Sequence, residues 1–223
     1  MTKAVGGGLT EHLLSAGPRR VLRVTTFMMR RLFCFLLWML GVVAGARADQ
    51  DLYNPMAVGL RWNVDVEMTT PAGEKVQGSA VREITGTETI HDLTYFVVRT
   101  SFTGLPKMKD FTTYRRKTMR GIYAINALDK EKREFLEEAL PLTTGQSWKT
   151  IVFNFLILST VDETGSVTAG GKTYENCVKV SYRSDGGPSG SYFLAPDIGN
   201  VLETWMADGL TYKFTLKSFS GLK

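Results

Sequence analysis

From Trp62 to Phe219 the chain is built of short stretches in which apolar residues alternate with polar ones, cut by Gly, Pro, Asn and Asp. A period of two sends successive side chains to opposite faces of a sheet, so such stretches bury one face and wet the other. Trp62, Val64, Val66 and Met68 alternate in this way with Asn63, Asp65, Glu67 and Thr69. The segment Thr70-Pro71-Ala72-Gly73-Glu74 then supplies turn residues. Further strands are expected over 75–87, 93–102, 111–119, 122–128, 166–169, 176–183, 190–195, 201–206 and 211–219, with 111–128 a hairpin across Arg120-Gly121. The apolar run Trp148–Leu158 reads as one strand, covered on both faces or bulged. Asp129–Ala139 breaks the alternation and reads as a short helix capped by Asp129, or as a solvated connection. The expected fold is mainly β: one antiparallel curved sheet or half-barrel of about 10–11 strands, with at most one short helix.

An internal repeat organises this list. Pro55-x-x-x-Gly59-x-x-Trp62 recurs as Pro141-x-x-x-Gly145-x-x-Trp148. Pro restricts the approach, Gly permits a turn, and Trp seats the first residue of a strand in the core. A weaker likeness, Gly86 through Leu93 against Gly170 through Cys177, suggests a shared glycine turn before a new strand. The reading is one β-rich domain, 49–223, with pseudo-repeats near 53–138 and 139–223. Each half would leave an open apolar face alone, so the two are expected to share one sheet.

The chain carries 27 Lys+Arg against 22 Asp+Glu, a formal +5. Seven of those cations and one of the anions lie before residue 49, which leaves 20 and 21. Those early residues include Met28-Met29-Arg30-Arg31, an apolar run Leu32–Val43 and Ala46-Arg47-Ala48, the pattern of a secretory signal peptide over 28–48. The apolar run falls short of the roughly 20 residues a spanning helix needs. Residues 1–27 are unassigned and read as an upstream start chosen in error, as a disordered leader, or as a long n-region. The expected product is an exported protein, periplasmic or extracellular, that meets the membrane only through its signal. Its near-neutral charge gives no support for nucleic-acid binding.

The inventory for chemistry is thin. His91 and Cys177 are the sole His and Cys after residue 48. His91 beside Asp92 reads as an exposed turn, and Cys177 as a small buried apolar residue. No nucleophile elbow, phosphate loop or metal spacing occurs. Glu137-Glu138 and Asp162-Glu163 read as solvated carboxylates; a glycosidase would need two opposed across a cleft. No cofactor and no enzymatic activity are expected. Tyr114-Arg115-Arg116-Lys117-Thr118-Met119-Arg120 is the one basic cluster. Alternation puts Arg115 and Lys117 on one face with Arg116 and Arg120 on the other. The cluster reads as a charged edge strand that resists aggregation, or as a contact for an anion.

Three short motifs carry a resemblance: Tyr53-x-Pro55-x-x-x-Gly59-x-x-Trp62, Pro141-Leu142-x-x-Gly145-x-x-Trp148 and Ala195-Pro196-Asp197-Ile198-Gly199-Asn200-Val201. In this order they resemble a broad group of bacterial exported proteins classed as domains of unknown function. Asp197 stands where that group usually has Gly, which suggests a local difference in backbone. The resemblance implies an envelope location and a β-rich fold similar to the curved sheets of periplasmic lipoprotein carriers; it transfers no catalytic residue.

The aromatic and aliphatic strand residues exceed what one sheet face buries unaided, so the sheet curls or takes a cover. The first expectation is a hydrophobic ligand or lipid moiety held by Trp62, Tyr95, Tyr123, Trp148, Phe153 and Tyr192, with Arg115, Arg116, Lys117 and Arg120 contacting an anion. The alternative is a structural or assembly component that pairs with an envelope protein partner through a sheet edge.

Overall fold

The structure, a computed structural model, describes residues 52–221. The signal-like segment and the residues before it lie outside the described residues. Twelve strands follow one another: β1 (Arg61–Thr69), β2 (Lys75–Ile90), β3 (Leu93–Thr103), β4 (Phe111–Thr118), β5 (Gly121–Asn126), β6 (Glu134–Ala139), β7 (Ser147–Val152), β8 (Phe155–Ala169), β9 (Lys172–Ser184), β10 (Ser189–Ala195), β11 (Gly199–Ala207) and β12 (Leu210–Ser220). No helix occurs among the described residues. All neighbours are antiparallel, in the order β6-β5-β4-β3-β2-β1-β12-β11-β10-β9-β8-β7. Each half is therefore a meander, the halves join where β1 pairs with β12, and the sheet curls until edges β6 and β7 approach. At that seam the indole Nε1 of Trp148 donates to the Glu137 carbonyl at 3.1 Å. The mainly-β curved sheet is as expected, nearly closed into a barrel.

Two elements differ from the sequence reading. Asp129–Ala139 holds no helix: the Asp129 carboxylate accepts from the Glu131 N–H and from Arg133, Lys132 sits at φ 52°, and β6 then pairs with β5. A positive φ ends any helical path at Lys132. Trp148–Leu158 is two strands, because Phe153 and Asn154 (φ 48° and 70°) make a tight hairpin. Far from being covered, its tip leaves Ile151, Phe153 and Leu156 more than half exposed. Paired positive φ values match the right-handed strand twist, and Asn tolerates them. The same geometry recurs at His91-Asp92, Gly170-Gly171 and Asp208-Gly209. Gly86 lies at an irregularity within β2, so its likeness to the β8–β9 turn glycine Gly170 is not a shared turn.

Most of the core is the inner face of the curl, and a smaller cluster of Ile90, Tyr95 and Ile125 packs apart from it. Leu60, Trp62, Ile84, Val98, Cys177, Val201 and Leu216 form the core's largest cluster. Burial pushes the Cys177 thiol up, as suits a packing role. The first and last resemblance motifs meet here. The Asp197 N–H donates to Leu52 O, Trp62 Nε1 donates to Ile198 O at 2.6 Å, and Gly199 abuts Pro55. Asp197 adopts φ 60°, the left-handed conformation that glycine favours.

Candidate functional site

Strand register builds the inner face in rows. Trp62 on β1 lies opposite Arg82 on β2, Arg82 opposite Thr100 on β3, and Thr100 opposite Phe111 on β4. In the other half Val161, Val180, Tyr192 and Glu203 stand side by side across β8 to β11. The curl brings these rows around a cavity of about 330 Å³. Its walls include Trp62, Ile84, Phe96, Val98, Phe135 and Leu194, and also Arg82, Arg115, Glu137, Glu138 and Glu203. A second cavity of about 140 Å³ adjoins it, walled by Val64, Phe102, Met108, Trp205, Phe214 and Leu216. Trp62, Arg82, Thr100, Phe111, Asn200 and Glu203 line both, so Arg82 and Glu203 stand between a mixed compartment and an aromatic one.

The carboxylates are held by donors. Arg115 Nη2 donates to Glu137 Oε1 at 2.5 Å. Asn54 Nδ2 donates to Glu138 Oε2 at 2.6 Å, Tyr192 also bonds Glu138, and Asn200 Nδ2 donates to Glu203 Oε2 at 2.9 Å. Burial, with the Glu137 charge beside it, pushes Glu138 from an ordinary 4.5 up to about 7, against the opposing pull of Asn54, Arg115 and Tyr192. Burial also raises Glu203, while Arg82 draws it back. Tyr192 is raised well above its ordinary value by burial and by Glu138, Glu137 and Glu203. Arg115 is opposed by burial, yet Glu137 and Glu138 outweigh that and hold it protonated. Arg82 moves the other way: burial and the neighbouring Arg115 lower it.

Hydrogen bonding leaves a remainder. Arg82 makes no hydrogen bond or ion pair with any described residue, and neither does the hydroxyl of Tyr182. Thr100 Oγ1, Arg115 Nε and Glu137 Oε2 are buried without a partner. Buried polar groups are normally paired, so this concentration around one cavity marks it.

The expected site residues divide among several places. Trp62, Tyr192 and Arg115 line the central cavity. Tyr95 and Arg116 point to the opposite face, because Phe96 and Arg115 take the inner one. There Arg116 binds Glu134 through two nitrogens at 2.5 and 2.7 Å, lies 4.6 Å from the Tyr123 ring centroid, and Tyr95 also donates to Glu134. That cluster is closed on itself. Trp148 lines neither cavity and is a core residue packed on Val161, Val178 and Val180. Phe153 is at the exposed β7–β8 tip, away from the cavity. Lys117 is half-buried opposite Ile122, and Arg120 sits in the β4–β5 turn, beyond the strand that alternation assigned it. The basic segment is no edge strand, since β4 lies between β3 and β5. Nor are Glu137 and Glu138 in a solvated connection: they belong to β6 and face the cavity.

Arg82, Glu203 and Thr100 escaped the sequence reading. Their signal was parity: Arg82 falls in register with Ala80 and Ile84, and Glu203 with Val201 and Trp205, so each is a charge on an apolar face. Among the described residues no group of three or more His, Cys, Asp or Glu is placed to hold a metal.

No protein-family model and no curated protein matches the chain. Two crystal structures are loosely similar. One is a "putative exported protein with YmcC-like fold" from Bacteroides fragilis, 12% identical, spanning 76% of this chain and 99% of its own, with a TM-score of 0.47. The other is a "putative lipoprotein" from Parabacteroides distasonis, 13% identical, spanning 76% and 98%, with a TM-score of 0.40. At these scores the likenesses transfer no residue roles.

Proposed function

We propose that this chain is an exported, non-enzymatic binding protein whose curled sheet holds a hydrophobic ligand or lipid moiety. The observation that carries the reading is the pair of adjoining cavities on the inner face, about 330 and 140 Å³, with aromatic and aliphatic walls and a few convergent polar groups. Export rests on the signal pattern at 28–48. The non-enzymatic part of the reading rests on the sequence, which carries no nucleophile elbow, phosphate loop or metal spacing. Protein purified without detergent, extracted into organic solvent and analysed by mass spectrometry should release a lipid in near-stoichiometric amount. An empty extract, together with no binding of the apolar probe N-phenyl-1-naphthylamine, would sink the reading.

A second reading, assembly through a sheet edge, draws on β6 and β7, which each lack a backbone-paired neighbour on one side. A strictly monomeric protein that co-purifies with no envelope partner would count against it.

A further inference from the structure

We infer that the interior site takes a single-chain amphiphile with an anionic oxygen head, seated on Arg82 and Thr100 with its chain in the aromatic compartment. This rests on the proposed binding role and specifies the ligand's chemistry.

The donor–acceptor balance points to that head. Arg82 stands in the wall shared by the two cavities and donates to no described residue. Arg82 is half-buried, and with no protein acceptor its guanidinium is left to whatever fills the cavity. Directly across β2–β3 from it, Thr100 is 4% exposed and its hydroxyl lacks a partner. Arg115 Nε and the Tyr182 hydroxyl add two more unused donors around the same space. Against these, the one buried carboxylate oxygen without a donor is Glu137 Oε2, on a group already bonded to Arg115. Glu138 and Glu203 have their own donors. The surplus is of donors, so the complementary ligand group is an acceptor, and a planar guanidinium suits a carboxylate or a phosphate. The tail follows from what adjoins Arg82. Phe102, Trp205 and Phe214 line the smaller cavity, and its charged groups are Arg82 and Glu203, both in the wall it shares with the larger one. Its fit is to an alkyl chain rather than a sugar or nucleotide.

Dodecanoate, dodecyl phosphate, dodecanol and dodecyltrimethylammonium, each below its micelle threshold, separate the possibilities when titrated into delipidated protein and followed by tryptophan fluorescence. One or both anions should bind about tenfold or more tightly than dodecanol, the scale of a charge-assisted hydrogen bond, with the cation weakest. Whichever anion is preferred identifies a fatty-acid or a phospholipid-type head. R82Q should lower anion affinity by about tenfold and dodecanol affinity far less, so that the preference for the anion is lost, and R82K should retain part of it. Thermal melts confirm that each variant folds. Equal binding of all four, or an anion preference intact in folded R82Q, would overturn this assignment and leave the binding role standing. Binding of none would overturn both.

Discussion

The two halves of the sheet open alike and then diverge. Gly59 N–H donates to Ile84 O at 2.8 Å and Ile84 N–H to Leu60 O at 2.9 Å; Gly145 N–H donates to Val161 O at 2.8 Å and Val161 N–H to Gln146 O at 2.9 Å. Both glycines have large positive φ, 92° and 85°, and both tryptophans, 8% and 6% exposed, donate Nε1 to a backbone carbonyl. Beyond those segments the inner faces differ. β1–β6 contribute Arg82, Arg115, Glu137 and Glu138, whereas β7–β12 contribute Glu203 and the phenols of Tyr182 and Tyr192. Opening a strand is a backbone problem with few solutions, and the same residues solve it twice. An inner face constrains only size and pairing, so its chemistry is free to differ, and here charge sits mostly in one half.

The largest test of this comparison is Trp62→Ala against Trp148→Ala. Each should cost about 3–5 kcal/mol in urea unfolding, since each leaves a large cavity and an unpaired carbonyl. The two costs should add within about half a kcal/mol if the segments act independently. A cost near zero at one of them would break the equivalence.

Glu138→Gln probes the difference between the halves. A carboxyl raised from 4.5 to about 7 on folding binds more protons folded than unfolded, so it lowers stability as pH rises between those values. The glutamine variant keeps an oxygen acceptor for Asn54 and removes the buried charge. It should be more stable than the parent at pH 8, by at most about 3 kcal/mol, and equal to it near pH 4. Thermal melts across that range check the sign; a parent whose stability rises from pH 5 to 8 through this group would contradict the assignment.

Smaller still, Gly59→Ala and Gly145→Ala should each cost about 1–2 kcal/mol. No atom lies within 4 Å of a Cβ added at either, so backbone strain is the whole effect and should match in the two halves. At the β7–β8 tip, Phe153→Ser should change stability by less than about 1 kcal/mol, because that ring is 59% exposed. A larger loss would show that the tip is covered in solution.

Much of this was legible from alternation. Trp62 to Met68, the Pro71–Gly73 turn and the Asp208-Gly209 turn stand where period and punctuation put them, because a half-buried strand and a tight turn are local problems. The hairpin at Phe153-Asn154 was hidden, since an aromatic at positive φ is a poor turn signal and apolar residues ran through it. Strand β6 was hidden too: Glu134 and Glu137 find Arg116 and Arg115 two strands away on β4, and Glu138 finds Asn54, partners that no local pattern around β6 announces.

By itself the sequence determined a mainly antiparallel sheet, two matched strand-opening segments and tryptophans as their anchors, for these follow from side-chain period and backbone sterics within a few residues. Only the tertiary structure decided that Glu134 neutralises Arg116 and accepts from Tyr95 on one face while Trp62, Arg82, Arg115 and Glu203 surround a cavity on the other. Parity assigns a side chain to a face, but which face is closed over, and what lies across it, depends on the curl of all twelve strands.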